Sequence, residues 1–141
     1  MDPEVKREII MDNYLNPLNK ETPDDTSYEK VNSNNESCID NIDIYVKIED
    51  DIVKDIKFNG EACAISTSST SIMINNLIGL SVKEALDYIN NFDNMVNEKE
   101  YDEDILNEAV VYNDIYKQNN RKHCALLPYI GIKKILEKHL N

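Results

Sequence analysis

The most regular feature of the chain is an alternation. Ile42, Ile44, Val46 and Ile48 are separated by Asp43, Tyr45 and Lys47, the period-two pattern of a half-buried strand. "EDD" at residues 49–51 supplies a turn, and Ile52, Ile56 and Phe58 resume the same period, so the pattern predicts a β-hairpin. "SYEKVN" at residues 27–32, set between the turn-rich runs "TPDD" and "NSNNES", is expected to form a short edge strand.

Helical spacing replaces the alternation on either side. Asp2 before Pro3 reads as an N-cap followed by the first helical position, and Val5, Ile9, Ile10 and Tyr14 share one face until Pro17 ends the run. This amphipathic helix is expected to dock on the body of the protein. After Cys63, Ile65, Ser69, Ile72 and Met73 recur at helical spacing, with Gly79 as a C-terminal cap. The many Ala, Ser and Thr residues of that helix allow another backbone to approach closely. Ser81 and Glu84 form a capping-box pattern that starts a helix through Leu86 and Ile89 to about Phe92. Residues 93–120 are acidic and loosely patterned, and Ile105, Leu106, Ala109 and Val110 suggest one more helix within them. The last helix is expected to begin at Cys124, with Ile132, Ile135, Leu136 and His139 on one face and Pro128 in a tolerant first turn. Strands followed by helices predict an α+β fold, a small antiparallel sheet of about three strands packed against several helices.

Composition narrows the function classes. A chain of 141 residues builds one domain with a real core, here expected to span 1–141. The 15 basic against 27 acidic residues give a net charge of −12, which argues against nucleic-acid binding and against anionic membrane surfaces, and favours basic protein partners. The N-terminus lacks a signal-peptide pattern and no apolar run reaches the length of a membrane span, so a cytoplasmic location is expected. In that compartment three cysteines are expected to be thiols or metal ligands rather than disulfides.

Cys38 precedes the first hairpin strand with Asp40 two residues on, Cys63 follows the second strand, and Cys124 opens the expected last helix. A helix N-terminus favours thiolate over thiol, so Cys63 and Cys124 are expected where thiolates are stabilised. Three thiolates and the Asp40 carboxylate would make a tetrahedral zinc site, or an incomplete cradle for iron and sulfide. By residue type alone the cysteines also read as small buried apolar residues, Asp40 as a turn or cap residue, and His123 and His139 as surface residues. Spacing without a Cys-x-x-Cys pair leaves these readings open.

Several blocks resemble a known family. "EIIMDNYLNPLNK" (8–20), "CID" (38–40), "FNGEACAISTSSTSIM" (58–73) and "RKHCALLPY" (121–129) are similar, in order, to the opening helix and three cysteine blocks of the IscU/NifU N-terminal-like iron–sulfur cluster assembly family. The likeness is closest to the SufU branch. Residues 93–120 resemble the acidic insertion that this branch carries between its second and third cysteines. "NNRK" stands where IscU has its Leu-Pro-Pro-Val-Lys motif, and Arg121 fits the arginine of SufU-type proteins. His123 directly before Cys124 is an IscU-like feature. Ile39 and Ala62 replace family glycines, which is expected to alter the local loop geometry, and Tyr129 takes a position where tryptophan is common.

The resemblance implies a sulfur relay. Zn²⁺ would be held by Cys38, Asp40, Cys63 and Cys124, Cys38 would accept persulfide sulfur from a SufS-like cysteine desulfurase, and Arg121 would orient that partner. Downstream cluster-assembly or apo-iron–sulfur proteins would take the sulfur. The alternative it implies is a scaffold on which iron and sulfide form a transient [2Fe–2S] cluster on the same cysteines, with His123 as a fourth ligand. The chain is an enzyme, a sulfurtransferase, only on the first of these. A structural zinc domain without sulfur chemistry is the remaining expectation, and would unfold on chelation.

Overall fold

Alternation does what it predicts. In the computed structural model, which describes residues 1–35 and 39–140, strands β1 (Glu29–Asn34), β2 (Asn41–Glu49) and β3 (Ile52–Glu61) form an antiparallel sheet in the order β1-β2-β3. Ile42, Ile44 and Val46 on β2 are fully buried beneath the helices. The hairpin turn is tighter than "EDD": Glu49 pairs with Ile52, and only Asp50 (φ 53°) and Asp51 (φ 64°) lie outside the strands. Two successive positive φ angles give the turn the handedness that matches strand twist, and aspartate tolerates that region better than most residues.

One feature of β3 departs from the expected period. Ile52 is half-buried while Val53, Ile56 and Phe58 are buried. Lys47 pairs with Asp55 and Ile48 with Val53, so Lys54 is an extra residue, and this β-bulge reverses the alternation at the start of the strand. At the other end, Gly60 has φ +124°, and a Cβ there would lie 2.3 Å from the Asn41 carbonyl oxygen. Glycine is required where β3 crosses this close to the start of β2.

Helix α1 (Pro3–Leu15) has the expected cap, with the Glu4 N–H donating to Asp2 Oδ1 at 2.8 Å. Its docking is shallower than the sequence suggests. Ile9 and Ile10 pack against the core, but Val5 and Tyr14 remain 42% and 39% exposed and no residue of α1 is buried. Polar bonds fasten it: Lys6 Nζ donates to Asn113 Oδ1 (2.6 Å) and Asp114 Oδ2 (3.0 Å), and Ser71 Oγ donates to Asn13 Oδ1 (2.8 Å).

Helix α2 (Ala64–Leu77) runs through the centre, buried continuously from Ser66 to Ile74. Gly79, at φ +96°, follows its C-cap. Helix α3 (Val82–Val96) begins with the Ser81–Glu84 capping box and continues one turn past the expected end at Phe92, because Met95 and Val96 extend its buried face. Residues 93–120 contain less helix than expected. The short α4 (Glu103–Leu106) stops where Asn107 takes φ 51°, and tighter 3₁₀ turns follow over Asn107–Tyr112 and Ile115–Lys117. Leu106, Ala109, Val111, Tyr112 and Ile115 nonetheless enter the core.

Helix α5 (Asn119–Lys138) packs on α2, α3 and β1. It begins at Asn119 rather than Cys124, with no side-chain cap to announce the start. Pro128 is therefore in the helix interior, not in its first turn. Its close approach to the sheet centres on Gly131, where a Cβ would lie 3.0 Å from Ser33 Cβ. Among the described residues no helix is long and apolar enough to cross a membrane.

Candidate metal centre

The end of β3, the start of β2 and the second turn of α5 meet at one place. Cys63 is the N-cap of α2, in extended geometry (φ −69°, ψ 172°), and its Sγ accepts the Ser66 N–H at 3.5 Å. A cap position turns its side chain back over the exposed N–H groups of the first turn, where the helix dipole is positive. Asp40, immediately before β2, is 1% exposed. Its Oδ1 accepts the Cys63 N–H at 2.7 Å, and its Oδ2 accepts the Ser66 hydroxyl at 2.6 Å. The Cys63 thiol lies 3.6 Å from Oδ2. Cys124, buried on α5, completes the group: ligand atoms of Asp40, Cys63 and Cys124 all lie within 4.8 Å of one another. Cys63 and Cys124 are both free thiols.

That donor set fits a metal ion. Zinc–sulfur bonds of about 2.3 Å in a tetrahedron place two thiolates roughly 3.8 Å apart, with a carboxylate oxygen nearer still. Two sulfurs and a hard oxygen suit zinc or iron better than calcium or magnesium, which take oxygen ligands.

Cys124 corrects an expectation about its thiol. Because α5 begins at Asn119, Cys124 is not at a helix N-terminus, and the favourable end of the dipole lies a turn away. Burial first, then the neighbouring Cys63 and Asp40, push the Cys124 thiol well above the ordinary cysteine range. The metal-free protein therefore holds a protonated thiol there.

Pro128 explains how Cys124 is seated. An interior proline lacks the N–H that would bond the carbonyl four residues back, at a cost of about 3 kcal/mol in an ordinary helix. Here that carbonyl belongs to Cys124, and Ser66 Oγ reaches it at 3.0 Å. One turn along α2, Ser69 Oγ donates to the Ala125 carbonyl at 2.7 Å. The small polar residues expected to allow close approach thus also bind the backbone of α5.

The other expected residues divide. Cys38 lies outside the described residues. Arg121 is exposed and lines a cleft of 590 Å³ between α1 and the cysteines, which Lys6, Arg7, Ile10, Met11 and Ile65 also border. His123 is exposed and does not join the Asp40–Cys63–Cys124 group. His139 pairs with Glu29 of β1. Ala62 is not among the described residues with positive φ, so the backbone there does not require glycine; the left-handed geometry falls on Gly60, and the expectation at Ile39 depends on its junction with Cys38, outside the described residues. The sequence reading missed Ser66, whose signal was a hydroxyl three residues after an N-cap cysteine. It also missed Lys6 and Arg7, which only the docking of α1 brings to the cleft.

The family described as the NifU-like N terminal domain matches residues 5–125. The chain is 37% identical over 133 residues to the zinc-dependent sulfurtransferase SufU of Bacillus subtilis (strain 168), covering 94% of this chain and 89% of that protein. It is 36% identical over 104 residues to the iron–sulfur cluster assembly scaffold protein IscU of Thermotoga maritima, covering 74% and 73%. Its structure is similar to the crystal structure of FiSufU, assigned as an iron–sulfur cluster assembly scaffold for the SUF system of Fervidobacterium islandicum AW-1. The TM-score is 0.84 at 34% identity, over 93% of each chain.

Proposed function

Since the chain belongs to the NifU-like N-terminal domain family, and is an iron–sulfur cluster assembly protein of the IscU/SufU kind, we propose that it is a zinc-dependent sulfur relay. The observation that carries the proposal is the convergence of Asp40, Cys63 and Cys124, with both cysteines lining a cleft, in a chain similar along most of its length to a zinc-dependent sulfurtransferase.

Asp40, Cys63 and Cys124 would hold Zn²⁺, with Cys38 as the fourth ligand. Cys38 stands two residues before Asp40 in the sequence. The bound ion supplies Lewis acidity that keeps its thiols deprotonated near neutral pH. Cys38, as thiolate, attacks the outer sulfur of a persulfide on a SufS-like cysteine desulfurase. A sulfur–sulfur bond forms on Cys38, the donor's sulfur–sulfur bond breaks, and the donor cysteine leaves as thiolate. Asp40, already bonded to the Cys63 N–H and to Ser66, keeps its carboxylate in place while Cys38 reacts. Arg121, exposed at the cleft beside the cysteines, orients the partner. Downstream apo-iron–sulfur or cluster-assembly proteins then receive the sulfur.

The second reading, a scaffold carrying a [2Fe–2S] cluster as cargo on the same cysteines, is supported by the likeness to proteins named as scaffolds. It assigns His123 as a ligand, and the exposed position of His123 outside the three-residue group favours the relay instead.

The test loads the protein with sulfur from a cysteine desulfurase and locates it by peptide mass spectrometry. The expected result is a persulfide on Cys38 and none on the Cys38→Ser variant. Equal rates of sulfur uptake by the two proteins would overturn the assignment. Anaerobic reconstitution separates the readings: a stable visible chromophore that transfers to an apo-ferredoxin would establish the scaffold in place of the relay.

A further inference from the structure

We infer that Ser66 is a positioning residue of the metal centre, holding the Asp40 carboxylate and the Cys124 turn in register with Cys63. The inference rests on the proposed metal-binding role of that centre. Ser66 is fully buried, and its side chain reaches all three described ligand residues. Its Oγ lies 2.6 Å from Asp40 Oδ2 and 3.0 Å from the Cys124 carbonyl oxygen, and accepts the Cys63 thiol at 3.7 Å. Its backbone N–H donates to the same sulfur.

A hydroxyl has one proton, so these two oxygen acceptors share it. The shorter contact has the length of a charge-assisted bond to an ionised carboxylate, so Asp40 is the main acceptor. The Cys124 carbonyl is near because Pro128 has removed its helical donor, and a buried carbonyl in that position requires another donor. The proline and the serine are therefore two halves of one arrangement. Pro128 exposes the carbonyl of the ligand-bearing turn, and Ser66 ties that turn to the residue that caps α2 and to the carboxylate that precedes β2. Groups that orient metal ligands in this way are typically worth about 10–100-fold in metal affinity.

A purely structural serine is distinguished by its neighbour. Ser69 is equally buried on α2 and makes the same kind of bond to α5, donating its hydroxyl to the Ala125 carbonyl rather than to Asp40, Cys63 or Cys124. The experiment measures Zn²⁺ affinity by competition with a chromophoric chelator, and Co²⁺ affinity by thiolate-to-metal charge-transfer bands, on the full chain. Ser66→Ala is expected to weaken both by about 10–100-fold, and Ser69→Ala to leave both within about twofold while lowering the melting temperature. Pro128→Ala returns an N–H to the Cys124 carbonyl. The Ser66→Ala/Pro128→Ala protein should therefore regain thermal stability without regaining affinity, and it serves in place of Ser66→Ala if that variant does not fold. Affinity restored along with stability, or equal losses in Ser66→Ala and Ser69→Ala, would show a structural role only and overturn the inference. Failure of the wild-type protein to bind either metal would instead overturn the proposed metal centre, and this inference with it.

Discussion

Replacing Tyr129 by phenylalanine should stabilise the protein, whereas the same change at Tyr88 or Tyr112 should weaken it. All three rings are about 1% exposed, and burial pushes all three phenols far above the usual tyrosine range, so they stay neutral. Their hydroxyls differ. Tyr88 donates to the Leu106 carbonyl at 2.9 Å, and the Tyr112 hydroxyl lies 2.5 Å from Ser68 Oγ. The Tyr129 hydroxyl makes no hydrogen bond of acceptable geometry among the described residues; the Tyr88 phenol is near enough to interact with it, but Tyr88 directs its own proton to the Leu106 carbonyl. Removing a satisfied hydroxyl forfeits about 1 kcal/mol net, and up to about 2 when the partner is left stranded in the core. Removing an unsatisfied one relieves a desolvation penalty of about 1–3 kcal/mol. The oxygen-sized void left behind, roughly 10 Å³ at about 24 cal/mol per Å³, returns only about 0.2 kcal/mol of that. The ring keeps its stacking on Phe92, at a centroid distance of 4.1 Å. A net gain of about 1 kcal/mol is therefore expected for Tyr129→Phe, or about 3 °C in melting temperature and roughly 0.5 M in the urea midpoint. The assay is urea and thermal unfolding of the metal-free protein, so that metal linkage does not contribute. If Tyr129→Phe is destabilised as much as Tyr88→Phe, the hydroxyl is bonded in solution and the reasoning fails.

Three further outcomes are expected. Gly60→Ala places a Cβ 2.3 Å from the Asn41 carbonyl at φ +124°, so it should lose about 3 kcal/mol and about 10 °C in a thermal melt; a loss below about 1 kcal/mol would show that β3 can shift there. Because the Cys124 thiol is pushed upward in the metal-free protein, zinc binding must displace its proton. Apparent affinity should then rise by at least about tenfold per pH unit between about pH 6 and 8, read by chelator competition, and a flat profile would mean Cys124 does not bind as thiolate. The Tyr28 phenol donates to Asp55 Oδ2 at 2.5 Å, and that bond, with smaller help from burial, pushes it up to about 12. A raised folded value means its contribution is complete below about pH 10 and lost as pH climbs through about 12. Ultraviolet titration of wild type against Tyr28→Phe should therefore show one ionisation near pH 12 missing from the variant; a difference centred near pH 10 would rule out the Asp55 bond.

The amino-acid sequence alone was sufficient for features whose cause lies among neighbouring residues. Alternation from Ile42 to Ile48 marked β2, the Ser81–Glu84 box marked the start of α3, and Asp2–Pro3 marked α1, because each signal acts within a turn or a strand pair. The family blocks likewise identified Asp40, Cys63 and Cys124 as candidates before any geometry was known. Where a local signal was absent, the reading slipped. Gln118 makes no cap bond, so nothing in the sequence punctuated α5, and Pro128 looked like a first-turn residue instead of an interior one. Lys54 does not look like a bulge, because only pairing with β2 makes it one. Tertiary packing alone decided that residues 40, 63 and 124 meet, that Cys124 is buried enough to hold its proton, and that a serine on α2 serves a carbonyl freed on α5. Those outcomes depend on contacts between segments far apart in the chain. Their energies come from desolvation and hydrogen bonding across elements, which no run of adjacent residues encodes.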